Sequence, residues 1–390
     1  MRAIERISKS EVESRSVCAS ASKWDDLSRK VYCVLGITID AIDMPELLRA
    51  VANAAAEKSP FLISTPNLNF LVQSRTDPEF RDTVLSSELC PADGMPIIWI
   101  ARLLGLPINN RVAGSDMLEA LKQNYDGMPR LKLFLFGGAE GTVDAAAKAI
   151  NRNSGGLSCV GFINPGFGTI EEMSQDHIIR KINASDADFL IAALSARKGQ
   201  LWLRRNHFRL RIPVRAHLGA TVNFAAGKLR RAPAAIRKIG LEWLWRIKEE
   251  PYLWRRYWDD GRKLLGLLLT HILPLAIRNR LNQLRGRKPQ GLLIESIQDC
   301  ESVTLNCNGA ATASNIEGAI SIFRDAAATN KKIHINLSGT CAIDARFLGL
   351  ILMLRKQARK QGTGLSIIGV SDRVRTMFRL NGAEFLLALN

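Results

Sequence analysis

The alternation of apolar and polar positions divides the chain into three stretches. Over residues 30–235 short apolar runs recur, each followed by a segment with helical spacing. Residues 31–37 (Val31, Tyr32, Val34, Ile37) read as a first strand. Residues 43–58 place Leu47, Leu48, Val51 and Ala55 on one face of a helix. Residues 61–64 form a strand that stops at Pro66, which has no N–H to give a ladder. Residues 68–75, 78–86, 97–104 and 142–151 read as helices, and residues 131–136, 159–162, 189–194 and 214–218 as further strands. This order predicts an α/β domain on a mainly parallel sheet, whose ligands bind at loops leaving the carboxyl ends of strands. Thr65, Asn67, Asp93, Gly137 and Gly219 all fall at such exits.

Residues 236–288 are helical in pattern, basic and rich in Trp. Their apolar middle, 264–277, is too short for a comfortable membrane span and reads as an interfacial helix flanked by Arg262, Lys263, Arg278 and Arg280. Burial against the preceding domain is the alternative. Residues 289–390 form a compact α/β unit: strand 303–306, helix 316–329, strand 333–337, helix 345–361, strand 366–368 and a helix from Asp372. Residues 1–29 are polar, lack the apolar run of a secretory signal and read as a loose lead-in.

Charge sharpens this division. The chain of 390 residues carries a formal net charge of +17. Between Arg197 and Lys288 there are 23 Lys and Arg against five acids, a local +18, so the remainder nets −1. Five of the seven Trp (202, 243, 245, 254, 258) share that stretch. Basic residues among Trp suit a membrane interface, where indole sits at headgroup level. They equally suit nucleic acid, through phosphate contact and stacking, or a solvated basic surface. The seven Cys show no paired spacing, which points to reduced thiols in a cytoplasmic setting. The five His show no ligand spacing.

Several short motifs could carry chemistry. Ser64-Thr65-Pro66-Asn67-Leu68-Asn69 puts polar side chains at a strand end, and Asp93-Gly94 puts a carboxylate on a tight turn. Arg111 to Asp116 supplies a cation, the flexible Gly114 and, in Asp116, a candidate helix cap. Phe134 to Gly138 is a strand followed by glycines that could bring N–H groups to a diphosphate. Asp186-Ala-Asp188 has the spacing of a metal-binding D-x-D, but it precedes a strand and reads as structural.

In order and wording these segments, with Ile182-Asn-Ala-Ser185, Gly219 to Gly227, Arg231-Ala-Pro233 and Gly240-Leu-Glu242-Trp243, resemble the WecG/TagA/CpsF glycosyltransferases, glycosyltransferase family 26. The resemblance implies a Rossmann-like, GT-E-like catalytic domain and an inverting transferase. Such an enzyme moves a sugar from a UDP-sugar to a polyprenyl-diphosphate-linked saccharide at the inner membrane face, for surface or exopolysaccharide assembly. It implies Asp93 as base, with Thr65 beside it. It implies a pocket of Asn67, Asn69, Gly94, Arg111, Gly114, Asp116, Gly137, Gly219 and Asn223. Arg230, Arg231, Arg255 and Arg256 are then candidates to close over UDP and touch an anionic membrane surface. No cofactor is expected, since cations can neutralise the diphosphate without metal. Nucleic acid becomes the least favoured partner.

Two departures stand out. Where the family reads P-K-Q-E, this chain has Arg197-Lys198-Gly199-Gln200, so Gln200 would have to serve by a one-residue shift. Asn223 replaces an Asp. The loss at Gly199 motivates a rival reading, a catalytically weak or inactive membrane scaffold. The C-terminal unit resembles a STAS domain through Ser338-Gly339 and Ala342-Ile343-Asp344. The residue that family phosphorylates is Ala345 here, which leaves a docking or regulatory role toward a protein partner.

Overall fold

The computed structural model describes residues 24–123, 129–284 and 291–388. Its central sheet has the order β3 (Phe61–Ile63), β7 (Val214–His217), β6 (Phe189–Ala193), β4 (Leu131–Gly137), β5 (Leu157–Ile163), all parallel. Helices cover both faces, so β6 and, past the exposed Lys132, β4 are buried on both sides and appear in the sequence as apolar runs. Leu47, Val51, Met117, Leu118 and Val143 fill one face; Ile179, Ile182, Trp202 and Leu203 fill the other. The Trp202 ring stacks on Phe136 at 4.1 Å, which makes it a core residue.

The expected first strand is a hairpin. β1 (Val31–Val34) and β2 (Ile37–Asp40) pair antiparallel through a turn at Leu35-Gly36. Both turn residues have positive φ, 49° and 94°, the twist that tight hairpins favour. No alternation marks it, because nearly every position is buried.

What covers the hairpin is the C-terminal domain. There β8 (Leu292–Gln298), β9 (Ser302–Ala311), β10 (Lys332–Asn336), β11 (Thr340–Ile343) and β12 (Leu365–Ile368) form a mixed sheet. β9, β10, β11 and β12 pair in parallel, and β8 is the antiparallel partner of β9. The Ala345–Lys360 helix lies between this sheet and the hairpin, and nearly all of it is buried. Its Arg346 donates to the Val31 carbonyl at 3.1 Å. Phe347, Leu350 and Ile351 share one core with Val31, Cys33 and Ile39. The closest approach is at Gly349, where an added Cβ would lie 2.3 Å from the Val31 carbonyl oxygen. Gly349→Val should therefore force helix and strand apart and lower stability by about 1–3 kcal/mol, read as a fall in unfolding midpoint.

The lead-in is not loose where it is described. Asp26 and Arg29 are buried beneath the same helix; residues 1–23 lie outside the described residues. The short interfacial helix is also revised. Pro251–Leu281 is one helical run of 31 residues, at 1.5 Å per residue about 46 Å long. Among the described residues it is the one helix long and apolar enough to cross a membrane. A π-turn at Leu268–Ile272 lets the run pass Pro274 without a break. Leu267, Ile272 and Leu275 pack into the shared core, while Leu265, Leu269, Ile277 and Leu281 are exposed.

Candidate functional site

The carboxyl ends of β3 and β7 and the 88–94 segment meet at one rim. Parallel bridges tie that segment to β3, from Ile63 to Leu89, and to β2, from Asp40 to Pro91. The Asp93 N–H donates to the Pro66 carbonyl at 2.8 Å, which seats Asp93 beside Thr65 and Asn67. Asn67 caps the Leu68–Thr76 helix, its Oδ1 accepting from Phe70 N–H at 3.2 Å. Gly114 closes the rim: an added Cβ there would lie 2.2 Å from Leu218 and 3.7 Å from Thr65. The rim thus gathers Thr65, Asn67, Asp93, Gly94 and Gly114, with Gly219 following Leu218.

Asp93 is chemically distinct. Burial pushes its carboxyl up to about 7. Arg111 and the Gly114 N–H, 3.5 Å away, pull it down, and Glu242 and Asp116 push it up. A carboxyl poised there can take a proton from a hydroxyl near neutral pH.

Beside it is a cationic cluster. Asp116 is not a helix cap, since the Gly114–Lys122 helix starts after Ala113 with no side-chain cap. Instead its carboxylate accepts from Arg111 at 2.7 Å, from Arg237 at 3.0 Å and from Arg231. Arg231 also reaches Ser115 at 2.9 Å. Arg111 donates its other arm to Glu242 at 3.0 Å. Three guanidiniums thus face two carboxylates, a net positive wall next to a carboxyl that titrates near 7. Glu242 sits in the Gly240–Trp243 segment already singled out, but nothing marked Arg237.

Other predicted residues fall around this centre. Asn69 donates to Asp260 at 3.2 Å, joining the rim to the long helix. Asp260 is buried, and burial raises its carboxyl from the usual value. Arg255 and Arg256 stand on the same helix, exposed beside Trp254 and Tyr257. Arg230 is exposed, and its backbone links to Glu249 and Trp245. Asn223 is half-buried on the Gly219–Ala225 helix.

Three residues do less than the motifs implied. A Cβ on Gly137 would meet the Ala193 carbonyl at 2.8 Å, and Gly138 already donates its N–H to that carbonyl at 2.7 Å. These glycines serve strand packing. Gln200 is fully buried; its Oε1 accepts from Ser64, one residue before Thr65, at 3.0 Å. It braces the rim from below and faces no open space. Gly199 is set by His217, whose ring would lie 2.3 Å from an added Cβ. The ring therefore fills the space a side chain at 199 would need, and its Nε2 bonds with the Leu194 carbonyl at 2.8 Å.

Asp186 and Asp188 precede β6 and so lie at the other end of the strands. They pair with Lys132 at 2.8 Å and Lys58 at 2.9 Å, as structural residues do.

The profile described as Glycosyl transferase WecG/TagA/CpsF family matches residues 32–277. The profile described as Mlab, STAS domain, matches residues 298–388. A Bacillus spizizenii protein named N-acetylglucosaminyldiphosphoundecaprenol N-acetyl-beta-D-mannosaminyltransferase is 24% identical over 200 residues, 51% of this chain and 75% of that protein. Staphylococcus aureus proteins of the same name are 21% identical over 229 residues in strain MW2 and 22% over 219 residues in strain NCTC 8325. They cover 57% and 55% of this chain, and 85% and 82% of their own lengths.

Proposed function

The chain belongs to the WecG/TagA/CpsF glycosyltransferase family and carries a C-terminal STAS domain, and from that premise we propose that it is an inverting, UDP-sugar-dependent hexosyltransferase. Its acceptor is a polyprenyl-diphosphate-linked saccharide, and it works at the cytoplasmic face of the cell membrane in surface polysaccharide assembly. The relatives' names, which specify a lipid-diphosphate-linked N-acetylglucosamine acceptor, support this choice.

The observation that carries the reading is Asp93, a carboxyl pushed up to about 7 beside a net positive arginine cluster. In the proposed step the acceptor O–H gives its proton to Asp93 as the oxygen attacks the anomeric carbon. The bond to the UDP diphosphate breaks on the opposite face, which inverts the configuration. The departing charge meets the Arg111, Arg231 and Arg237 guanidiniums, with Arg230, Arg255 and Arg256 closing from the appendage. Thr65 and Asn67 position the acceptor, and no metal is required for this charge balance.

The exposed Trp243, Trp254, Trp258, Leu265 and Leu269 support membrane attachment of the same appendage. The test is UDP release from a panel of UDP-sugars with a polyprenyl-diphosphate N-acetylglucosamine acceptor. Release that needs both substrates is expected. No release with any donor would overturn the proposal and favour the scaffold reading raised by Gly199.

A further inference from the structure

At the opposite end of the Leu68–Thr76 helix from Asn67 lies a cavity of about 160 Å³. It sits where the hairpin turn, that helix, the long Pro251–Leu281 helix and the C-terminal domain meet. Three guanidiniums line it, Arg75, Arg81 and Arg379, against one carboxylate, Glu384. Among the described residues none of the three arginines forms a salt bridge. Arg75 instead sits 3.1 Å from the His271 ring, and Arg81 lies over the Phe385 ring at 3.8 Å.

Two buried polar atoms at the cavity have no partner. The Ser74 hydroxyl belongs to a side chain 1% exposed, and Arg81 Nε is the second. Burial holds the Arg75 and Arg81 guanidiniums below their usual value; Glu384 offsets part of this at Arg75 and Asp82 at Arg81, while Arg359 and Arg75 lower Arg81 further. Since guanidinium does not deprotonate in proteins, all three cations stay charged, and the single carboxylate in the lining leaves the cavity net positive. The floor is kept open by two facing glycines. A Cβ on Gly382 would lie 2.8 Å from Arg75 Nη1, and one on Gly36 would lie 2.5 Å from the Gly382 carbonyl.

Arg75 and Arg379 stand in the last turns of their helices, where a cation complements the helix dipole. That alone explains neither Arg81, which comes from a third helix, nor the orphaned Ser74 hydroxyl. We propose that this interdomain cavity is a binding site for a phosphoryl group, held by Arg75, Arg81, Arg379 and the Ser74 hydroxyl. Arginine forks and a hydroxyl are the donors such a group takes. The cavity has room for about five waters, enough for one phosphate and part of its shell. The group can be free phosphate or the headgroup of a phosphomonoester lipid, since His271 of the long helix lines the same cavity. The bound anion would tie the STAS domain to the helix whose other end carries Asn67 and Asn69.

The test reads binding, not turnover, so its outcome is separate from that of the glycosyltransferase assignment. The full chain is titrated calorimetrically with inorganic phosphate at constant ionic strength. In parallel it is floated with phosphatidylcholine vesicles with and without phosphatidic acid. The exposed Arg75→Gln and Arg379→Gln should each weaken binding about tenfold or more. Arg375→Gln, on the same helix as Arg379 but outside the cavity, should leave it unchanged. Saturable phosphate binding with this pattern assigns a soluble anion. Phosphatidic-acid-dependent flotation with this pattern, without free phosphate binding, assigns a headgroup. Neither kind of binding, or binding that the two cavity variants leave unchanged, overturns the site.

Discussion

Replacing Asp93 by asparagine is expected to lower kcat about 10²- to 10⁴-fold, the range for losing a general base. Asparagine keeps the size and the contact with Gly114 but cannot take the acceptor proton. Wild-type kcat/KM should rise with pH through about 7, where Asp93 loses its proton, and level off above. In Asp93→Asn that limb should disappear from the residual rate. The same shift has a consequence for stability. The folded state holds the Asp93 proton more tightly than the unfolded chain, whose carboxyl titrates near 3.9. Ionised Asp93 therefore weakens the fold progressively from about pH 4 to about pH 7. Above that window Asp93→Asn should be at least as stable as wild type while nearly inactive. A variant that lost activity and stability together would show that Asp93 is a structural residue, and unchanged turnover would remove it from the mechanism.

This opposition of function and stability bears on what the chain could disclose before its fold was known. β6, and β4 from Leu133 onward, were legible because burial on both faces writes them as continuous apolar runs. The β1–β2 hairpin was not, since it is buried for a different reason: a helix more than 300 positions away covers it. β8 escaped because, as an edge strand, most of it is exposed and its apolar signal is weak. In the site, Thr65, Asn67 and Asp93 were legible as polar residues at strand exits, and Arg111 as part of the Arg111 to Asp116 motif. Arg237 and the role of Glu242 were not, because an ion cluster is specified by three-dimensional charge balance and leaves no spacing to read. The same holds for Gly199: only the His217 ring explains it, from 18 positions further on. The net charge of +17 located the appendage, yet the charges that join the two domains are a balanced set it could not reveal.

That set predicts the largest stability effect. Lys356, 3% exposed on the Ala345–Lys360 helix, reaches Asp26 at 2.8 Å, Glu88 at 3.0 Å and the Ser87 carbonyl at 2.8 Å. Arg29 pairs with Asp26 at 2.9 Å and forks onto Asp40 at 2.7 and 3.1 Å. Glu88 in turn accepts from the Leu62 N–H of β3 at 3.0 Å, two residues before Ser64. Three buried carboxylates, Asp26, Asp40 and Glu88, face the buried Arg29 and Lys356 and the half-exposed Lys360, which completes the charge balance. Lys356→Met keeps the bulk but leaves Asp26 and Glu88 short of a cation in a dry seam. It should lower stability by about 3–5 kcal/mol, seen as a lower urea midpoint of the full chain. Lys360→Met, whose side chain is 47% exposed, should cost less than about 1 kcal/mol. Acid provides the sign check. Lys356 is the strongest influence holding the Asp26 and Glu88 carboxyls below their usual values, against burial that raises them. Their stabilisation is therefore complete above the unfolded carboxylate range, near pH 4, and is lost as pH falls below it. The deficit of Lys356→Met should be largest near pH 7 and shrink below pH 4, where the variant's carboxyls take up protons first. A deficit that stayed constant with pH would assign the loss to packing alone.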